Sequence, residues 1–210
     1  NAAILLRGEM PLEVTLTRLD EPKVVFLSRD MDSYGEFCEL APLQRTGDPY
    51  DPFALQKAAL LACGVLPMSG GTLPDILARM GGGFRLQTEV KGVPKGSGLG
   101  TSSILAGGCV KAIHEFFGIP YTEETLYSRV LCMEQIMSTG GGWQDQVGGL
   151  TPGIKYTMSQ PGFPQVLRVQ QVAVSEATKR QLNERFCLVY TRQRGLARNP
   201  LRDVIQRHNG

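Results

Sequence analysis

The sequence predicts an α+β fold, and three observations carry that expectation. Short strand-like runs fill the first 40 residues, helical periodicity governs the middle, and strand patterns return after Tyr156. "AAILLRGE", "LEVTLTRL" and "KVVFLS" alternate or run apolar between the breaks "EMP" and "DEP", so Asn1 to Leu40 is expected to form an antiparallel sheet. "DPFALQKAALLACGV", Asp51 to Val65, offers an aspartate N-cap and a proline at the first helical position, which predicts a helix. "GGTLPDILARMGGG" holds a turn and a short helix before the strand "FRLQTEV". The next helix runs from about Ser102 to Phe117. It contains Gly107 and Gly108, each costing about 1 kcal/mol of helix propensity against alanine, which close packing would offset. A further helix starts at Thr122 as N-cap, with Glu123 and Glu124 at the positive end of its dipole. Its apolar stripe is Leu126, Val130, Met133 and Met137, and Glu134 falls off that stripe. "QVLRVQQVAV" and "RFCLVYT" read as strands flanking a charged helical stretch.

Composition narrows the function. The chain has 210 residues, 42% of them hydrophobic, which suits one sizeable core and the start of a second. Lysine and arginine number 22 against 20 acids, so the near-neutral balance argues against a dedicated nucleic-acid binder, and any anion must be met locally. No apolar run approaches the roughly 20 residues that span a bilayer. The cysteines Cys38, Cys63, Cys109, Cys132 and Cys187 lack CxxC spacing, and Cys63, Cys109 and Cys132 fall in apolar helical patterns. They read as reduced core residues of a cytoplasmic protein. Two histidines, His114 and His208, leave little for a histidine-rich metal site.

The chemistry concentrates in two places. In "VPKGSGLGTSSILAGG" the glycines Gly96, Gly98 and Gly100 allow positive φ and close approach of a ligand to the backbone. The loop opens a helix, whose unpaired N–H groups and dipole attract an anion, phosphate above all. Thr101, Ser102 and Ser103 add hydroxyls for phosphate or magnesium. The loop fits neither the Walker A pattern, since Lys95 precedes the glycines, nor GxGxxG, since Gly100 comes too early. A plain glycine-rich turn with hydroxyl caps is the other reading of the same residues. Eleven residues separate Glu134 from Asp145, which lies in a second glycine-rich loop, "GGGWQDQVGG". Phosphoryl transfer needs a metal ligand and a carboxylate at the attacking hydroxyl, and this pair supplies both. Singly, Glu134 also reads as a solvated helix acid and Asp145 as a turn aspartate. Trp143 suits either stacking on a sugar face or a core or lid position.

"PKGSGLGTSS" resembles the second signature of the GHMP kinases, and the run through "MEQIMSTGGGWQDQVGGLTPGIK" is similar to the L-fucose kinase branch. The resemblance implies a ribosomal protein S5 domain 2-like N-terminal domain, residues 1–180, lacking its first strands. It implies that residues 181–210 begin a ferredoxin-like C-terminal domain, with the family's first and third signatures outside Asn1–Gly210. It implies ATP held by Lys95, Gly96, Ser97, Gly98, Leu99, Gly100, Thr101, Ser102 and Ser103, Mg²⁺ held by Ser102 and Glu134, and Asp145 as the catalytic residue. Gly142, Trp143 and Asp145 would face the sugar. The expected activity of the complete protein is phosphorylation of the anomeric hydroxyl of L-fucose, for GDP-fucose salvage. Its partners would be the sugar and ATP, with no nucleic acid and no membrane. A heptose 7-phosphate kinase and a non-catalytic nucleotide or sugar sensor are the rival expectations. Arg192, Arg194 and Arg198 read as a solvated basic face, a place near the substrate being the alternative that the resemblance implies, and His114 as a surface or packing residue.

Overall fold

Strand β1 (Leu12–Leu19) keeps Leu12, Val14 and Leu16 partly buried while Glu13, Thr15 and Thr17 face water, the period-two alternation of a sheet covered on one side. The computed structural model describes residues 10–48, 50–93, 97–139, 141–162 and 165–189, so the expected strand in Ala2–Glu9 lies outside the described residues. β2 (Val24–Ser28) buries Val24, Val25, Phe26 and Ser28, as a central strand must. With β3 (Ser33–Phe37) and β4 (Gly83–Val90) it forms a four-stranded sheet ordered β1-β4-β2-β3.

The sheet is not wholly antiparallel, which corrects the sequence expectation. β4 lies between β1 and β2, antiparallel to the first and parallel to the second, so that Leu86 stands opposite Leu16 on one side and Phe26 on the other. The connection from β3 to β4 runs through α1 (Ala41–Gln44), α2 (Ala54–Ala62) and α3 (Leu73–Arg79). β3 runs antiparallel to β2, so this connection brings β4 back antiparallel to β3 and therefore parallel to β2.

α2 begins later than its Asp-Pro signal suggested, with Phe53 at the N-cap. Asp51 instead accepts the Phe53 N–H at 2.8 Å and pairs with the buried Lys57 at 2.6 Å, fixing the entry of the helix. Thr72 caps α3 and accepts the Asp75 N–H. α4 (Thr101–Phe117) and α5 (Glu123–Ile136) follow the pattern read from the sequence, and Thr122 and Thr125 form a reciprocal capping box at the start of α5. Val24, Phe26, Phe84 and Leu86 of the sheet pack in one core with Leu60 of α2, Ala106, Cys109, Val110 and Ile113 of α4, and Val130 and Met133 of α5.

Three further expectations are corrected. Asp145 is not in a loop, because Gln144–Leu150 forms a short helix, α6. The chain then makes a hairpin of β5 (Lys155–Gln160) and β6 (Val166–Gln171) and a helix α7 (Glu176–Arg185), all of whose residues are exposed. α7 continues through Arg180, and the described residues 186–189 of the expected strand "RFCLVYT" are irregular. Residues 190–210, with Arg192, Arg194, Arg198 and His208, lie outside the described residues. Cys38, Cys132 and Cys187 are exposed and so are not core residues, whereas Cys63 and Cys109 are buried as expected. Among the described residues no helix is long and apolar enough to cross a membrane.

Burial pushes the Cys63 thiol up to about 12 and raises that of Cys109 as well, because a thiolate there would lose its hydration. A disulfide-exchange reagent at pH 8 is therefore expected to modify Cys38, Cys132 and Cys187 in the native protein. Cys63 and Cys109 should react only after denaturant is added, as counted by released chromophore.

Candidate active site

Gly100 is the N-cap of α4 and takes a left-handed backbone at φ 69°, and Gly98 in the same loop has φ 76°. These two glycines wind the chain tightly into the helix, a conformation that costs other residues about 1–2 kcal/mol. The loop delivers the first-turn N–H groups of Thr101, Ser102 and Ser103 without intrahelical partners, at the positive end of a 17-residue helix. Lys95 and Gly96 lie outside the described residues. Ser97 holds a hydroxyl oxygen shielded from water with no protein partner, and Leu99 stands exposed at the loop tip.

Asp145 reaches this loop because α6 lies against α4. A Cβ on Gly107 would fall 2.4 Å from the Leu150 methyls, and one on Gly149 would fall 2.2 Å from Ile104. Each helix thus presents a glycine to a large side chain of the other. The close packing expected to offset the helix cost of Gly107 is this contact, and Gly108 similarly faces Val14 of β1 at 3.1 Å. The contacts Gly100 to Asp145, Ile104 to Gly149 and Gly107 to Leu150 climb both helices in the same order. The two helices therefore run parallel with their N-termini together, and a Cβ at Gly100 would lie 3.2 Å from the Asp145 carboxyl carbon. Asp145 is exposed in the first turn of α6, Trp143 is its half-buried N-cap residue, and Gly142 beside it is open.

The far end of α6 is held by Lys155. Its ammonium donates to the carbonyls of Gly148 at 2.7 Å, Thr151, and Gly153 at 3.3 Å, taking up acceptors that a helix end leaves unpaired. Burial lowers its affinity for the proton, as desolvation does for any amine. The Tyr127 hydroxyl of α5 also bonds Thr151, tying α6 to the helix that carries Glu134.

Glu134 is buried, at 6% exposure, although the periodicity places it off the apolar stripe of α5. Its Oε1 accepts from Ser103 Oγ at 3.0 Å and its Oε2 from Thr139 Oγ1. Ser103, and not the exposed Ser102, is thus the hydroxyl that bonds Glu134. The two acids flank one turn of α4, Glu134 through Ser103 and Asp145 through Gly100. Among the described residues no three of His, Cys, Asp or Glu converge, so a closed protein cage for a metal is absent there. One buried carboxylate with hydroxyls beside a glycine-rich loop does fit Mg²⁺, which takes few protein oxygens and completes its shell with phosphate and water.

His114 is remote from this arrangement. It is buried near the other end of α4, with Nδ1 3.2 Å from the Ile119 carbonyl and its ring against Tyr121. A cavity of about 820 Å³ also opens at that end, lined by Arg18, Ile76, Phe116 and Phe117, away from both acids.

Residues 69–152, which contain the loop, Glu134 and Asp145, match the family of the GHMP kinases N terminal domain. The chain carries a GHMP kinase N-terminal domain. The chain is 36% identical over 208 residues to a bifunctional fucokinase/GDP-fucose pyrophosphorylase of Arabidopsis thaliana, covering 99% of this chain and 19% of that protein. It is 34% identical over 212 residues to an L-fucokinase/L-fucose-1-P guanylyltransferase of Bacteroides fragilis, covering 98% of this chain and 22% of that protein. The chain therefore spans about a fifth of the length of these curated relatives. Its fold matches a D-glycero-D-manno-heptose 1-phosphate kinase from Bacteroides thetaiotaomicron with a TM-score of 0.58 at 17% identity, over 81% of this chain and 51% of that one. A mevalonate kinase of Methanococcus jannaschii matches with a TM-score of 0.56 at 13% identity, over 78% and 47%. The GHMP kinase α+β architecture expected from the sequence is thus borne out.

Thr139 and Lys155 escaped the sequence reading. A threonine before a glycine run and a lysine at a strand start carry no signal of their own, since their roles depend on which backbone folds beside them. Two substitutions test the observed pairing. Ser103→Ala should cost about 1–3 kcal/mol in urea unfolding, because it leaves a buried carboxylate oxygen without its donor. Ser102→Ala, at an exposed position, should stay within about 0.5 kcal/mol. Gly107→Ala should lose about 2 kcal/mol net in the same assay, with overpacking of about 3 kcal/mol against about 1 returned as helix propensity.

Proposed function

We propose that the complete protein transfers the γ-phosphoryl group of ATP to the anomeric hydroxyl of L-fucose, giving L-fucose 1-phosphate for the salvage of GDP-fucose. The observation that carries this reading is the contact of Asp145 with Gly100, which puts a carboxylate beside the N–H groups suited to the transferred phosphate. The sugar rests on the two fucokinase relatives and their identity over nearly the whole chain.

In this reading the amides from Gly96 to Ser103 cradle the nucleotide phosphates, and the α4 dipole adds to their attraction. Asp145 accepts the proton as O1 bonds phosphorus and the bond to the departing ADP oxygen breaks. Glu134, with Ser102 or Ser103, would hold Mg²⁺, which would neutralise charge on the phosphates. Trp143 and Gly142, adjoining Asp145, form the side from which the sugar enters. The division into residues 1–180 and a second domain from 181 belongs to the same proposal, with α7 as the joining element. Free thiols and dependence on ATP suit a cytoplasmic setting.

Asp145→Asn in the complete protein should lower turnover about 100- to 10,000-fold while nucleotide affinity changes only a few-fold. ADP release with L-fucose and with a panel of other sugars and heptose phosphates measures this. Near-normal turnover in the variant would remove Asp145 from the reaction, and preference for a heptose phosphate would replace the sugar.

A further inference from the structure

The backbone after α5 places a hydroxyl over Glu134 by a route that starts in helix termination. Thr139 N–H bonds the Glu134 carbonyl at 3.0 Å and Ser138 N–H bonds that of Gln135 at 3.0 Å, the paired bonds of a Schellman ending. Such an ending needs a left-handed residue, and Ser138 supplies it at φ 53° although it is not glycine. The reversal folds Thr139 back on the last turn, where its Oγ1 lies 3.1 Å from the Glu134 carbonyl and bonds Oε2 of the same residue. Gly141 then closes on that oxygen so tightly that a Cβ there would lie 2.8 Å from Oε2.

Resting on the kinase reading above, we propose that Thr139 is a positioning residue that presets the Glu134 carboxylate for the catalytic metal. A carboxylate buried this deeply needs donors to hold its charge. Both donors are neutral hydroxyls, Ser103 on Oε1 and Thr139 on Oε2, and Glu134 makes no ion pair among the described residues. Lysine or arginine in their place would fix the carboxylate equally well but cancel the charge that draws a cation. A hydroxyl orients without neutralising, and it leaves one lone pair on each oxygen for the metal. Hydrogen bonds of this kind to a metal's ligands are worth about 10- to 100-fold in metal affinity.

The test is calorimetric titration of a non-hydrolysable ATP analogue into the complete protein, with and without Mg²⁺. Thr139→Val keeps the shape and removes the hydroxyl, and Thr139→Ser restores it. Thr139→Val should lose at least about 10-fold of the Mg²⁺-dependent gain in nucleotide affinity, with metal-free affinity unchanged within about two-fold. Thr139→Ser should stay within about two-fold of the parent. Gly141→Ala, which keeps the hydroxyl but crowds Oε2, should show the same selective loss and carries the test if the valine variant does not fold. An undiminished Mg²⁺ gain in a folded Thr139→Val overturns the proposal and leaves the kinase reading standing. So does an equal loss with and without metal, which would make Thr139 a support of the loop only. A parent protein whose nucleotide binding ignores Mg²⁺ overturns both.

Discussion

The close approach of α4 and α6 is the constraint on which the candidate site depends. Each helix gives up a side chain where the other has a large one, Gly107 beneath Leu150 and Gly149 beneath Ile104, so the backbones come nearer than two ordinary helix faces allow. The result is positional. Asp145 occupies the first turn of a helix whose start is level with Gly100, and Lys155 secures the opposite end through three carbonyls. Gly108 on Val14 locks α4 to the sheet, so α6 and the carboxylate inherit their place from the core.

Electrostatics then reward what packing has arranged. The unpaired N–H groups and positive dipole end of α4 face a zone that also holds two carboxylates. A phosphate there would meet donors on one side, and a cation would meet carboxylates that no described lysine or arginine pairs on the other. Neither acid needs the other for its position, because Glu134 is held by hydroxyls and Asp145 by its helix.

Much of this was legible from residues alone, and what was not has a physical reason. The helices α4 and α5 announced themselves by caps and periodicity, and the tight loop before α4 by glycines immediately before an apolar helix. The place of β4 between β1 and β2 could not be read, since alternation reports which face a strand buries and not which neighbour it takes. α6 was hidden because its two glycines lower its intrinsic propensity, and tertiary contact with Ile104 overrides that cost. Glu134 was expected on the surface side of α5. It is buried because the chain after the left-handed Ser138 turns back over it and Ser103, 31 residues away, covers its other oxygen.

α6 has only seven residues, fewer than an isolated helix needs to persist in water. Its order is borrowed from α4 and from the Lys155 contacts, and none of the sheet's own hydrogen bonds depend on it. The Asp145 carboxylate therefore sits in a cooperative unit that can open and close while the β-sheet core stays folded. Its amides set a local opening free energy below that of the whole domain, and a ligand that bridges α4 and α6 closes the gap by adding its binding energy to the closed form alone.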